Sequence, residues 1–427
     1  MKPILLSLAI ALLTVASAGA DVIAIKDAEV HTLARAGTYS RATVLIRDGR
    51  IEAVGPDIAI PANAKVIDGS GKVLTPGIVD AQTELGIKEI DGVDETNDVA
   101  SEQPRFSAAL DVADALNPRS ALIPVNRIEG VTLAMSAPDS KKGGSLIAGQ
   151  GALISLAGAL ARDDEHFLIR PRAAMYAETG ERGAELAGGT RPASMAALRE
   201  AFEEAKSGGL RLGTGLSRDA QLGPLDVAAL KPVLAGETPL VVRVNRASDI
   251  RAAMRLADDY GIHLIVSGGA EAHLIAKELA EHHIAVLIDP SQDLPAHFET
   301  LHVRTDAAQI LQKAGVSFAF IDDSESSTHN ARNLRQIAGI AVSYGLSKDL
   351  ALAAITLYPA EIFGLSNTRG GIEAGKIADL VLWDGDPLEL TTAATQVWID
   401  GVPMPMVSRQ TLLRDRYLQR LQEKMAK

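Results

Sequence analysis

The 427-residue chain contains no cysteine. This absence excludes disulfide bonds, a lipid-modified cysteine, thiolate metal ligands and a cysteine nucleophile. Aromatic residues make up only 4% of the chain, which leaves few platforms for stacking nucleotide bases. The formal net charge is -12 and no basic cluster follows a phosphate backbone, so neither nucleic acid nor an anionic membrane is an expected partner.

What is present is enough to build a large buried core, since 47% of the residues are hydrophobic and 22% are charged. Residues 1–20 resemble a secretory signal, with basic Lys2, an apolar run from Ile4 to Val15 and small residues before Asp21. We therefore predict cleavage before Asp21, a periplasmic location and no membrane contact afterwards. An uncleaved N-terminal anchor is the alternative.

The apolar pattern changes twice along the chain. Short alternating runs broken by turn residues predict β-hairpins over residues 22–74, and a second set over 378–399. Between them, apolar strands alternate with helical stretches, which is typical of βα units closing into a barrel with its site on the loops after the strands. The fold class predicted is α/β: a (β/α)8 TIM-like barrel over 76–367, with a composite β-sandwich from 21–75 plus 368–407. Residues 408–427 are predicted to form a C-terminal helix with a packing stripe and a solvated basic face.

Three motifs carry a family resemblance. Residues Pro76 to Asp80 read Pro-Gly-Ile-Val-Asp and are followed by Gln82 and Glu84. Residues Ala354 to Ala360 have an Ala-x-Thr-x-x-Pro-Ala pattern, and Gly375 to Pro387 contain Gly-Lys-x-Ala-Asp-Leu-Val. In this order the motifs resemble the amidohydrolase superfamily, in particular exported members similar to imidazolonepropionases and prolidase-like enzymes.

The resemblance implies a divalent ion such as zinc, held by a His-x-His pair after strand one, a strand-four carboxylate or lysine, and histidines ending strands five and six. An aspartate ending strand eight takes a proton from the attacking water. At the positions that can be identified, this chain has Gln82, Glu84, Arg243, Ser267 and Asp322. Only the aspartate is retained, so we expect no metal cofactor.

Arg243 is the substitution with the strongest chemical consequence. A guanidinium has five donors and no acceptor and stays protonated, so it cannot ligate a metal and repels a divalent ion nearby. We hypothesise that its charge replaces the ion and faces Glu84 and Asp322; the alternative is that Arg243 points to solvent. The predicted catalytic residues are Asp322, Arg243 and Glu84, and the predicted substrate-binding residues are Gln82, Ser267, Asn245 and His329.

Other constellations are weaker. Asp322, Asp323, Glu325 and His329 have the residue types of a second metal site, yet a short acidic loop before a helix is more often a helix lead-in. No serine lies in a Gly-x-Ser-x-Gly elbow.

Three functions are open to such a chain. One is hydrolysis of non-peptide or dipeptide-like carbon–nitrogen bonds, as the resemblance implies. The second is binding of a small ligand by a metal-free pseudoenzyme, and the third is a structural role as an interaction subunit in a homo- or hetero-oligomer.

Overall fold

The computed structural model describes residues 22–102, 105–208, 222–323 and 330–425. The predicted signal segment therefore lies outside the described residues. Within them, no helix is both long and apolar enough to cross a membrane. The strands are β1 (Val22–His31), β2 (Thr38–Arg47), β3 (Arg50–Gly55), β4 (Lys65–Asp68), β5 (Val73–Pro76), β6 (Ile78–Thr83), β7 (Val131–Ser136), β8 (Ile147–Ser155), β9 (Leu168–Glu178), β10 (Leu240–Val244), β11 (Leu264–Gly268), β12 (Ala285–Ile288), β13 (Phe318–Phe320), β14 (Leu380–Trp383), β15 (Ala394–Ile399) and β16 (Val402–Pro403).

The helices alternate with the barrel strands, and one more follows the composite sheet. They are α1 (Leu122–Arg127), α2 (Asp164–Phe167), α3 (Gly180–Leu186), α4 (Arg191–Lys206), α5 (Pro224–Leu234), α6 (Ala247–Tyr260), α7 (Ala276–Glu281), α8 (Ala307–Ala314), α9 (Leu334–Ser343), α10 (Lys348–Ala354), α11 (Leu357–Ile362) and α12 (Arg409–Met425).

Strands β6 to β13 form one nearly closed eight-stranded sheet in chain order, which confirms the predicted barrel. One strand departs from the (β/α)8 pattern: β8 runs antiparallel to both β7 and β9. Because antiparallel neighbours are joined at the same end of a sheet, the β7–β8 connection lies at the edge where the parallel strands end. It brings Ala137, Pro138 and Asp139 to the barrel mouth.

Alternation along the strands decides which residues face the barrel interior. Val241 and Ile265 belong to an inner apolar cluster, whereas Val242 and Val266 pack in the outer layer between sheet and helices. Successive strand residues point to opposite faces, so the inward phase of β10 continues to Arg243. In β11 the same phase continues to Ser267.

The Pro76-Gly77 dipeptide is explained by close packing at the start of the barrel. A Cβ atom on Gly77 would lie 2.2 Å from the Thr132 hydroxyl oxygen of β7, so a larger residue would separate β6 from β7. Glycine is needed here for close approach of two strands. The motif is therefore a packing requirement of the fold.

The second sheet combines strands from both sides of the barrel, as predicted, because β14 pairs antiparallel with β5. Its β2–β3 hairpin turns at Asp48 and Gly49, which have φ angles of 50° and 79°. Two successive positive φ angles are typical of a tight hairpin turn whose twist matches the strands. The exact domain boundaries given above remain predictions.

Candidate functional site at the barrel mouth

A cavity of about 230 Å³ opens where the barrel strands end. It is lined by Gln82, Thr83, Glu84, Ala137, Pro138, Asp139, Arg182, Arg243, Ile321, Asp322 and Asp323. Four of the residues predicted for the site therefore line one cavity: Gln82, Glu84, Arg243 and Asp322. The carboxyl ends of barrel strands are the usual place for a binding or active site.

Arg243 occupies the centre of this edge. On β10 it is in register with Glu178 of β9 on one side and with Ser267 of β11 on the other. Its Nη2 atom donates a hydrogen bond to Asp323 Oδ1 at 2.5 Å. The Asp323 carboxylate raises the pKa of the Arg243 guanidinium further above its ordinary value, so this residue remains a cation.

The described ion pair of Arg243 corrects the sequence-based expectation by one residue, from Asp322 to Asp323. The reason is strand phase: Ala319 and Ile321 belong to the inner cluster, so the next inward position is Asp323. Burial raises the pKa of the Asp323 carboxyl, and the charge of Arg243 opposes that shift. Asp322 also lines the cavity, and its predicted role as proton acceptor remains a prediction.

Gln82 and Ser267 contact each other across the barrel. The Ser267 hydroxyl donates to Gln82 Oε1 at 2.7 Å, and the Gln82 backbone N–H donates to Asp80 Oδ1 at 3.1 Å. Ser267 is fully buried and is not part of the cavity lining. Two positions where the family has metal-binding imidazoles are therefore tied together by a neutral hydrogen bond.

Glu84 has a different partner from the one expected. Lys88 Nζ lies 2.7 Å from Glu84 Oε2 and 2.8 Å from Asp91 Oδ1, so a lysine four residues along the chain neutralises this carboxylate. The hypothesis that Arg243 faces Glu84 in a direct ion pair is thus replaced by two separate pairs on the cavity wall. The pair between Glu84 and Lys88 depends on the conformation of residues 84–91, which do not form a regular helix. The sequence alone therefore did not predict the pair.

Glu178 is a site residue that the sequence analysis missed, and it ends barrel strand four. Its side chain is buried, and its Oε2 atom has no hydrogen-bond donor within the described part of the chain. Burial raises the pKa of Glu178 well above its ordinary value, and the charge of Asp139 adds to the shift. The environment of Glu178 therefore favours its neutral form. An acidic residue directly after the apolar run Ala173–Ala177 was the available signal.

A second carboxyl with a raised pKa lies deeper in the barrel. Asp80 is fully buried, and burial raises its pKa to about 8, against a hydrogen bond from the Gln82 backbone that lowers it. Next to it, burial raises the pKa of Tyr176, whose hydroxyl is without a partner among the described side chains. Burial thus favours the uncharged forms of both side chains.

Two predicted ligand-binding residues are not placed at the cavity. Asn245 is buried, donates from Nδ2 to Glu299 Oε1 at 3.1 Å and accepts from the backbone N–H of Ala270 at 3.3 Å. These contacts fix the loop after β10, and Asn245 is absent from the cavity lining. His329 lies outside the described residues, as does the rest of the acidic loop from Ser324 onward.

The donor set at the mouth does not fit a divalent ion held as in the family pattern. Catalytic zinc takes imidazole nitrogens or carboxylates in near-tetrahedral array, whereas Arg243 offers only donors and Ser267 and Gln82 satisfy each other. Across residues 22–102, 105–208, 222–323 and 330–425, no group of three or more histidines or carboxylates has a geometry that could hold a metal ion. A site for zinc at these positions is therefore not supported by the residues present.

Comparison with known proteins places this geometry among amidohydrolases. Residues 233–408 match the model of the amidohydrolase family. A solved amidohydrolase structure from Thermotoga maritima is 28% identical, with a TM-score of 0.79, covering 91% of this chain and 100% of that one.

Curated relatives give the same result. An imidazolonepropionase from Acidiphilium cryptum is 26% identical over 86% of this chain and 92% of its own length. The amidohydrolase tasK from Hapsidospora irregularis is 27% identical over 84% of this chain. This chain spans only 39% of the length of that relative.

Proposed function

The chain belongs to the amidohydrolase superfamily, and from that premise we propose that its barrel mouth binds a small amide bearing a carboxylate, without a metal ion at the histidine positions. The observation that carries the proposal is the ion pair between Arg243 and Asp323, which fills the position where strand five offers an imidazole in the family. A metal-free ligand-binding protein is the function this geometry supports best.

Electrostatic repulsion favours the Arg243–Asp323 pair over a divalent metal ion at this position. Two like charges a few ångströms apart repel by several kcal/mol at the effective dielectric near a protein surface, about 4 kcal/mol per unit charge at 4 Å. A divalent ion beside Arg243 would meet about twice that repulsion. The guanidinium already satisfies the Asp323 carboxylate by a charge-assisted hydrogen bond, so the cavity needs no further cation to neutralise that side chain.

The cavity walls indicate what the ligand carries. Arg243 keeps 32% of its side chain exposed, and a guanidinium has more N–H groups than one carboxylate accepts, so it can also bind a ligand carboxylate. At the rim, Arg182 Nη2 lies 3.3 Å from Asp139 Oδ2. Together these groups offer cationic donors for a carboxylate and anionic acceptors for an amide N–H.

The size of the cavity limits the ligand further. Its volume of about 230 Å³ is below the range of roughly 300–1,000 Å³ typical of sites for drug-sized molecules. An N-acylamino acid or a dipeptide is of the right class. A polymer or a nucleotide is not.

Hydrolysis of the bound amide is a second candidate, and one observation favours it. The carboxyl groups of Glu178 and Asp139 interact at the mouth, and the Asp139 charge raises the pKa of Glu178 in addition to the effect of burial. Two carboxyl groups that share a proton can activate water without a metal, the ionised one accepting a proton from water and the neutral one donating to the leaving nitrogen. In this alternative Asp139 takes the role of base that the sequence assigned to Asp322.

Thermal melts of the purified full chain test the proposal. We expect N-acetyl-L-amino acids or dipeptides to raise the melting temperature equally with and without EDTA, because binding to the native state adds about 2.7 kcal/mol of stability at a hundred times Kd. Arg243→Met should abolish the shift. Arg251→Met is the matched control, since Arg251 forms a similar 2.5 Å pair with Glu278 away from the cavity.

Chromatographic assay of the same mixtures for released amine separates the two candidates. Stabilisation without amine release supports binding alone. Release that persists in EDTA and is lost in Glu178→Gln supports metal-free hydrolysis. Stabilisation or turnover that disappears on chelation and returns with zinc would contradict both.

A further inference from the structure

Helix α12 differs from the rest of the molecule in charge and in exposure. None of its residues from Arg409 to Met425 is buried. It contains five basic residues and two acidic ones, a local charge of +3 on a chain whose formal net charge is -12. The spacing of its apolar residues predicts a packing stripe, but in the structure most of that stripe is exposed.

One side of α12 faces the barrel. The helix contacts α1, and Leu412 and Leu413 border a surface cavity with Arg119 and Pro124. This contact accounts for the first two turns of the helix only. The later turns of the helix lie beyond this contact.

The later turns carry an apolar strip. Tyr417, Leu421 and Met425 are four residues apart, and Leu418 lies three before Leu421, so the four share one side of the helix. At least half of each of these side chains is exposed: 56% for Tyr417, 50% for Leu418, 54% for Leu421 and 79% for Met425. Leu413 lies four residues before Tyr417, so the strip continues from the barrel contact along the exposed later turns of the helix.

Three basic residues and one acidic residue border this strip. Arg414 precedes Leu418 by four residues, and Lys424 follows Leu421 by three, which places both on the same side. Arg420 also borders the strip, with its guanidinium 5.7 Å from the centre of the Tyr417 ring. Asp415, three residues before Leu418, lies beside the strip and 2.7 Å from Arg414, whereas Glu423 projects from the opposite side of the helix.

We propose that this surface, formed by Tyr417, Leu418, Leu421 and Met425 with Arg414, Arg420 and Lys424, docks on an anionic lipid surface. An apolar face bordered by lysine and arginine is the pattern of a helix lying in the plane of a membrane interface. Each basic residue near an anionic bilayer adds attraction that falls with salt. The acidic character of the whole chain argued against a membrane partner, but the charge of this helix is local and opposite.

A second copy of the chain fits this surface less well. A stable protein interface uses about 20–30 residues on each side, which exceeds the 17 residues of α12. Two copies of the strip would also bring Arg414, Arg420 and Lys424 of each helix together, and like charges in contact oppose association.

Co-sedimentation of the full chain with vesicles tests the proposal. We expect binding to vesicles of phosphatidylethanolamine with about 30% phosphatidylglycerol, and at least tenfold weaker binding to pure phosphatidylcholine vesicles. The triple variant Arg414→Glu, Arg420→Glu, Lys424→Glu and the double variant Leu418→Ser, Leu421→Ser should each lower binding tenfold or more. Lys231→Glu, Lys277→Glu, Lys313→Glu, with the same change of charge at exposed barrel positions, should bind as the unmodified chain does.

Circular dichroism and sedimentation velocity complete the test. Reduced binding counts in favour only if each variant keeps the unfolding midpoint of the parent chain. Equal binding to both vesicle types, or equal loss in the barrel control, would overturn the proposal. So would a dimer that the Leu418→Ser, Leu421→Ser change dissociates, because the surface would then be an interface between copies.

Discussion

Two clusters at different places in the described fold, one buried and one half-buried, are built from the same chemical parts, an arginine with carboxylates. Beneath the composite sheet, Arg369 donates to Asp379 and, at 2.7 Å, to Asp400, and the Asp400 backbone N–H donates to Asp379 at 2.9 Å. At the mouth, Arg243 pairs with Asp323. The exposed fractions of the paired side chains are 8% and 5% for Arg369 and Asp379, but 32% and 12% for Arg243 and Asp323.

The difference separates a structural tie from a binding site. The sheet cluster links the start of β14 to the β15–β16 turn, and water has little access to it. The mouth cluster borders a cavity, and burial raises the pKa of two carboxyls near it, Glu178 and Asp80. The same ion pair therefore holds two strands together in one place and organises a cavity in the other.

The largest effect is expected at the sheet cluster. Arg369→Met leaves Asp379 and Asp400 buried without their cation, and breaking a buried pair typically costs about 3–5 kcal/mol. Urea unfolding at pH 7 measures the loss. Arg369→Lys, which keeps the charge but not the two-pronged geometry, should lose less. A loss below about 1 kcal/mol in Arg369→Met would remove the structural half of the comparison.

The stability of the folded chain should depend on pH through Asp80, which is buried in the barrel. The pKa of Asp80 is raised from 3.8 to about 8 in the folded chain, so the folded state holds a proton that the unfolded state releases. Its contribution to stability is complete below about pH 4 and falls as the pH rises to about 8. At about 1.4 kcal/mol per pH unit, the parent chain should lose about 4 kcal/mol relative to Asp80→Asn between pH 5 and 8. If the unfolding free energies of the parent chain and Asp80→Asn changed equally with pH, Asp80 would be ionised in the folded state.

An intermediate effect is expected for the mouth pair itself. Arg243→Met and Asp323→Asn should each cost about 2 kcal/mol, less than the change at Arg369 because water reaches the cavity and can solvate the remaining group. Since the side chains are in contact, the double variant should show a coupling energy of about 0.5–3 kcal/mol in urea unfolding. Additive losses would mean that the pair does not act as a unit.

The smallest effect is expected at Glu178. If its carboxyl is neutral, Glu178→Gln replaces one neutral group by another of similar shape, and unfolding free energy at pH 7 should change by less than about 1 kcal/mol. Glu178→Ala is the comparison variant and should cost about 2 kcal/mol or more by leaving a cavity. A loss for glutamine as large as that for alanine would indicate an ionised Glu178.

The sequence predicted the barrel and the strand ends because alternation and turn residues are local signals. Arg243 on β10 and Ser267 on β11 end the strands where the motifs placed them. The pairing partners were not predictable in the same way. Asp323 faces Arg243 because of the inward phase of Ala319 and Ile321, a property of the closed sheet.

Two other features depended on tertiary structure. Glu178 was missed because β9 follows an antiparallel strand, so the regular βα count did not lead to strand four. The exposure of α12 was also not predicted, since spacing gives the side of a helix and not what covers it. In both cases the sequence pattern was visible, but it did not identify the tertiary contacts of the residues concerned.

The metal content of the chain, purified without chelator and measured by elemental analysis, tests the central claim most directly. With Arg243 paired to Asp323 at the strand-five position, we predict less than about 0.1 equivalent of zinc or manganese, by the chemistry of the donor set. Near-stoichiometric zinc or manganese in the purified chain would contradict the account if EDTA removed the metal and ligand binding was lost with it. The metal content of Arg243→His, which should then be no higher than that of the parent chain, is the comparison.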